Sequence, residues 1–279
     1  MNPSLTRLIV RPRRAFSLVE LSIVLVILGL LVGGVLSGQA LIRAAELRSI
    51  TSDLDRYIAA THTFRDKYFA LPGDMANATS FWGTDNLGCP NGGGSSGTCN
   101  GNGDGIISTN VPPNTVSNLC ENQEYWRQLS LAGLIEGKYT PNTLANCYTA
   151  SSPGKDSAKL KLASAGASIT YVGPITTNAG FPGNVFYIGN YQHVFFVGAA
   201  NNSANGMFAG GLLKPEELWN IDNKVDDGKP GTGNVLPVLP GTYNPAAGAT
   251  GCTSDTTLAA TYSLTNSTIS CSMLMKVGF

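Results

Sequence analysis

Charge is scarce in this chain. Asp, Glu, Lys and Arg make up 13% of its 279 residues, roughly half the fraction usual in soluble domains. The 18 basic and 18 acidic residues cancel, which excludes a nucleic-acid footprint spread over the whole surface. Aromatic residues lie in strand-like runs without the basic interleaving of a single-strand-binding platform. Histidine is limited to His62 and His193, and neither an H-E-x-x-H run nor a P-loop occurs. The usual signatures of zinc hydrolysis and nucleotide binding are therefore missing. His62 falls in a helical pattern and His193 in a strand pattern, so both read as structural. No C-x-x-C pair is present, which weakens a zinc or thioredoxin-like reading.

Other absences are regional. No acid precedes Glu20, whereas Arg7, Arg11, Arg13 and Arg14 do. Without these four arginines the chain would carry 14 basic against 18 acidic residues. No charge of either sign occurs from Leu21 to Ile42. As a helix that run spans roughly 33 Å, enough for a hydrocarbon core of about 30 Å. The arginine excess predicts a cytoplasmic N-terminus and an exported remainder. No cysteine appears before residue 89. All six (Cys89, Cys99, Cys120, Cys147, Cys252 and Cys271) lie in the part that would be exported, as disulfides in an oxidising compartment would.

Glu20 is the anomaly, because an acid inside an apolar segment costs a few kcal/mol. A plain single-pass anchor does not explain it. A cleaved signal peptide, cut after Gly38-Gln39-Ala40, would need a shorter apolar stretch without the acid. The third reading does explain it. Residues 13–21 read Arg-Arg-Ala, then Phe-Ser-Leu-Val-Glu-Leu, and this pattern resembles the N-terminus of type IV pilin and type II secretion pseudopilin precursors. The resemblance implies cleavage between Ala15 and Phe16 by a prepilin peptidase, which also N-methylates Phe16. Ala15 stands where glycine is usual in the family. It also implies that Glu20 serves assembly by pairing with the α-amino group of a neighbouring subunit's Phe16. A buried pair of this kind is stable only when register is right.

After residue 42 the apolar pattern continues at helical spacing through Leu47, Ile50, Leu54, Tyr57, Ile58, Thr61, Phe64 and Tyr68. Pro72 and Gly73 stop it, so residues 17–70 are expected to form one rod of about 80 Å. A membrane-proximal coiled coil would give the same stripe. Gly29, Gly33, Gly34 and Gly38 admit two readings: close packing between membrane helices, or a helix weakened so that it can stretch.

Residues 84–119 form a glycine- and asparagine-rich stretch that needs a staple or a ligand to be ordered. Asn100, Asn102 and Asp104 alternate before Gly105, as at the start of a calcium loop. Position twelve holds Val111, leaving Glu121 or Glu124 to complete the set, and a plain glycine–asparagine turn remains open. Asp222, Asp226 and Asp227 form a second candidate calcium set, with exposed turn acids as the alternative. Short helices are expected over residues 120–139 and 214–225. Strands are expected over 158–162, 168–172, 184–188 and 191–197, with a Gly189-Asn190 hairpin turn and a closing hairpin of 258–264 with 268–277. The disulfides expected are Cys89–Cys99, Cys120–Cys147 and Cys252–Cys271. These are the sequence neighbours, whose loops close at the lowest entropic cost, and the last resembles the C-terminal disulfide loop of many pilins.

The sequence thus predicts an α+β, pilin-like fold: a long N-terminal helix packed on an antiparallel β-sheet with disulfide-tied loops. Residues 1–15 would be the leader, 16–42 the transmembrane and filament-core helix, 43–71 its amphipathic continuation and 72–279 the exported head. Its size favours a large minor or tip subunit of a pilus-like fimbrium or pseudopilus, with a mechanical and cell-adhesion role rather than a catalytic one. Calcium is the one cofactor suggested. The partners implied are other pilin or pseudopilin subunits, the prepilin peptidase, and an inner-membrane assembly platform with its ATPase. The precursor would sit in the inner membrane, and the assembled filament in the periplasm or outside the cell. The alternative is a membrane-anchored periplasmic binding protein or enzyme that never polymerises.

Overall fold

The computed structural model describes residues 17–84, 97–108, 120–141, 152–162, 165–173, 192–200, 208, 210–238, 251–255 and 257–279. The chain divides into two compact units, Met1–Ala45 and Glu46–Phe279, and helix α1 (Leu18–Tyr68) contributes to both. In the first unit α1 is continuous despite four interior glycines. Its apolar side chains, from Leu18 to Ile42, are half to nearly fully exposed. Among the described residues this is the one helix long and apolar enough to cross a membrane.

In the second unit α1 becomes amphipathic. Ile50, Leu54, Tyr57, Ala60, Thr61 and Phe64 are buried, at the three- and four-residue spacing that keeps one helix face against a core. The helix ends at Tyr68, slightly before the expected stop. A short α2 (Thr79–Trp82) precedes α3 (Glu121–Leu131), and α4 spans Pro215–Val225. Pro215 opens α4, where its missing N–H is no loss.

Five antiparallel strands form one sheet in the order β1-β2-β3-β5-β4. They are β1 (Ala158–Lys159), β2 (Ala165–Val172), β3 (Gln192–Ala199), β4 (Val235–Val238) and β5 (Ser272–Val277). Phe195 and Val197 of β3 join the main core with Trp126, Tyr57 and Phe64, while Val194 and Phe196 join a smaller cluster with Leu236 and Leu274. Alternate residues of one strand thus feed two cores, because successive side chains point to opposite faces.

The long N-terminal helix and the five-stranded antiparallel sheet make an α+β, pilin-like architecture, tied by a disulfide between Cys252 and Cys271. The expected closing hairpin does not form. Residues 268–277 do supply β5, but it pairs with β3 and β4, and residues 258–264 carry only an isolated bridge, Tyr262 to Thr253. Pro237 hides β4 from a propensity reading. It is accommodated because β4 is an edge strand, where one row of N–H groups is not needed for the ladder. The strand expected at 184–188 and the turn at Gly189-Asn190 lie outside the described residues.

Candidate functional site

The first candidate is the start of α1. Ser17 is the cap residue, and its hydroxyl accepts the N–H of Val19 at 3.3 Å. Glu20, three residues on, turns back so that its Oε2 accepts the N–H of Ser17 at 2.9 Å. This is close to a capping box, with the cap hydroxyl on the second rather than the third helical N–H, and it satisfies donors that a helix start leaves open. The same four letters, Ser-Leu-Val-Glu, therefore have a local meaning that the family resemblance did not supply. They fix where the helix begins, and the resemblance places the Ala15–Phe16 bond just before that point. Ala15 and Phe16 themselves lie outside the described residues. Further along α1, a Cβ added at Gly29, Gly33, Gly34 or Gly38 would meet nothing within 4 Å, so packing within the chain does not require these glycines.

The second candidate is the loop at residues 97–108. Its backbone hangs on carboxylates. Oδ1 of Asp74 accepts the N–H groups of Gly103 at 2.8 Å and Asp104 at 3.1 Å, and Oδ2 accepts that of Gly105 at 2.9 Å. Glu121, on α3, accepts the N–H of Asn102 at 3.1 Å and of Ser108 at 3.0 Å. Glu124 accepts from the Thr98 hydroxyl and the Cys99 N–H. Gln128 joins both segments, taking the Gly73 N–H and donating to the Cys99 carbonyl. A side chain at Gly73, where φ is +86°, would collide with the Glu121 carbonyl, so only glycine lets the two segments approach. Apolar burial is only half of what α3 does. Tyr125, Trp126 and Leu129 enter the core, but Glu121, Asn122, Gln123, Glu124, Arg127 and Gln128 are buried too.

The sequence-predicted ligands in this loop have local partners. Asn100 Oδ1 accepts the Thr79 N–H at 2.8 Å, Asn102 Nδ2 donates to Asp104 Oδ2 at 2.8 Å, and Asp104 Oδ1 accepts the Ile106 N–H at 2.8 Å. Burial pushes Glu121 up to about 7, with Asp74 and Asp104 adding their negative charge and the loop N–H groups opposing. Burial also raises Asp74. His193 closes the far end of the loop, its Nε2 accepting the Ile107 N–H at 3.1 Å. Burial lowers its pKa, so the neutral ring suits that acceptor role. Sequence reading passes over Asp74 and Gln128. The signal for them is the burial of a polar helix, which periodicity does not report.

The third candidate lies between α4 and the disulfide loop. Carboxylate oxygens of Asp222, Asp226 and Asp227 come within 4.8 Å of one another, a set of hard oxygen donors of the kind that holds calcium. Asp222 is buried and receives the Tyr262 hydroxyl at 2.8 Å. Burial pushes it up to about 7, with Asp227 and Asp226 adding to the shift. Asp226 accepts the Asn234 N–H, which fixes the turn before β4. Beside this set, Cys252 and Cys271 are both buried and bonded, with Cα atoms 5.3 Å apart. Cys99 and Cys120 are each in a disulfide. Cys89 and Cys147, their expected partners, lie outside the described residues.

Residues 10–36 match the family model of the prokaryotic N-terminal methylation motif. No match was found among curated proteins or among solved structures. The methylation motif, leading directly into a long apolar N-terminal helix, fits the precursor of a type IV pilin or pseudopilin.

Proposed function

We propose that the chain is a structural subunit of a type IV pilus-like filament or a type II secretion pseudopilus, a large minor or tip subunit rather than an enzyme. Residues 1–15 are removed between Ala15 and Phe16 by a prepilin peptidase, which methylates Phe16. Residues 16–42 form the membrane and filament-core helix, 43–71 continue it, and 72–279 form the exported head. Before assembly the subunit waits in the inner membrane with its N-terminus cytoplasmic. An assembly platform and its ATPase then add it to other subunits, giving a periplasmic or extracellular filament. The observation that carries this reading is the methylation motif at residues 10–36, supported by an apolar helix whose membrane-length stretch is not buried among the described residues.

Glu20 has a defined part in this reading. In the single chain one of its oxygens takes the Ser17 N–H, and a carboxylate can accept further bonds. The neighbouring subunit's Phe16 amino group then adds a counter-charge without dismantling the cap. The glycine face of α1 supplies close approach between helices of different subunits, where small residues permit tight packing. The test is twofold. Intact-mass measurement of the membrane-extracted protein is expected to show a chain that begins at methylated Phe16. Glu20→Ala is expected to insert and be processed normally yet drop out of sheared filaments and cross-linked oligomers, since breaking one half of a buried pair costs about 3–5 kcal/mol. Normal incorporation of Glu20→Ala would remove this role. An unprocessed N-terminus would favour a non-polymerising anchor.

The head also holds a proposed calcium site at Asp222, Asp226 and Asp227, supported by the convergence of their oxygens. A cation bound only by the folded head raises its melting temperature through mass action. Millimolar calcium is expected to raise the melting temperature of the full chain and chelator to lower it. The rise is expected to vanish in Asp226→Asn/Asp227→Asn.

A further inference from the structure

The end of α1 carries a residue that its backbone position disfavours. Phe69 follows the last helical residue with φ +55°, and its N–H closes the helix by donating to the Arg65 carbonyl at 2.8 Å. Helices usually place glycine or asparagine there, because a Cβ is crowded in the left-handed region. Burial does not compensate, since Phe69 is 92% exposed. A bulky residue held in a disfavoured conformation without a packing return points to a use at the surface.

Its surroundings give that surface a chemistry. Phe81, 55% exposed, meets Tyr68 edge-on at 5.3 Å, and Trp82 lies 5.2 Å from Tyr68. Tyr68 and Phe69 border an open groove of about 430 Å³, which they share with Arg65, Asp74 and Asn77. That volume falls within the range of small-molecule sites. Asp74 is fixed by the N–H groups of Gly103, Asp104 and Gly105. Arg65 and Asn77 are exposed, and their side chains have no hydrogen bond or ion pair among the described residues. The groove thus offers an aromatic border, an exposed amide and a guanidinium, with the buried carboxylate of Asp74 beneath them.

Ligand classes fare differently against that set. A phosphate-rich ligand meets the Asp74 carboxylate, whose like charge opposes it. A wholly apolar peptide face would strip water from Asn77 and Arg65 without replacing its hydrogen bonds. A saccharide satisfies both halves: its C–H face covers an aromatic ring, and its hydroxyls accept from Arg65 and exchange hydrogen bonds with the Asn77 amide. We propose that this groove binds a saccharide, with one sugar ring stacked on Phe69. The proposal stands independently of the filament reading.

Saturation-transfer NMR tests it, using the full chain in detergent micelles with cellotriose, chitotriose and maltotriose as probes. Transfer to ring protons of at least one trisaccharide is expected. Phe69→Ala is expected to weaken that binding by about tenfold, the loss of one good aromatic contact, with an unchanged thermal melt. Phe69→Tyr is expected to retain it, and Arg65→Ala to weaken it by a smaller factor. Absence of transfer to all three sugars overturns the proposal, as does undiminished transfer in Phe69→Ala. Loss of subunit cross-linking in Phe69→Ala with no sugar binding would also overturn it, and would reassign Phe69 to a protein contact.

Discussion

The apolar beginning of α1, residues 18–45, and the whole of α3 invert each other. The first is almost wholly apolar and buries almost nothing within the chain. Helix α3 is polar or charged at most of its positions before Leu129, and all of those residues are buried. Neither helix follows the rule that apolar residues go in and polar ones out, and each exception has its own cause. Exposed apolar surface on this scale requires another apolar phase, either lipid or other helices. Buried polar groups require partners, and Glu121, Glu124 and Gln128 of α3 find them in residues 73 and 98–108. One helix depends on something outside the chain, and the other organises what is inside it.

The same kind of truncation in the two helices is expected to separate them most clearly. Trp126→Ala removes a ring that touches Tyr57, Tyr125 and Phe195, and is expected to cost the head about 3–5 kcal/mol. Leu28→Ala, at a half-exposed stem position, is expected to leave head stability within about 0.5 kcal/mol. Denaturant melts of both variants make the comparison, and equal losses would erase it. Replacing Cys252 and Cys271 by serine is expected to cost about 2–4 kcal/mol, read in the same melts, without changing processing of the stem.

A pH dependence is expected of the head. Glu121 and Asp222 are pushed up to about 7, mainly by burial, from ordinary values of 4.5 and 3.8. Inside that window the unfolded chain has released protons that the folded chain still holds. Stability is therefore greatest at the acid end of the window and falls as pH rises across it. Melting temperatures in chelator from pH 5 to pH 8 are expected to show this fall. Asp222→Asn, which can still accept the Tyr262 hydroxyl, is expected to lessen it, leaving the part due to Glu121. One change is expected to be a gain: Phe69→Gly relieves the left-handed strain and is expected to stabilise the head by about 1 kcal/mol.

What the sequence reveals follows the same division. The stem is legible because its signals are local: a long run without charge, an arginine cluster, and one acid in an improbable place. The bounds of α4 are nearly legible too, since Pro215, Glu216 and Glu217 mark a helix start chemically. Strand β4 escapes because Pro237 argues against a strand unless its edge position is known. The place of β5 escapes because a hairpin is the default between nearby segments. Its actual partners, β3 and β4, lie on the far side of the disulfide loop in the sequence. Asp74 is overlooked at the candidate site because it reads as an ordinary turn residue after Pro72 and Gly73. Its three N–H donors come from Gly103, Asp104 and Gly105, in a loop well separated from it along the chain.

The placement of β5 has a consequence for how the molecule matures. A chain made from its N-terminus produces β5 after every other strand, yet β5 is the strand that joins β3 to β4. Until it arrives, the edge of β3 that β5 will occupy has no partner within the sheet, and β4 has no ladder at all. Non-local pairing of this kind is slow, because chain entropy is lost before the contacts form. The head therefore remains incomplete through most of its synthesis and then closes in one late step. The Cys252–Cys271 bond lies directly beside that closure, so oxidation can lock the last strand as soon as it docks. The last strand made is thus the keystone of the sheet.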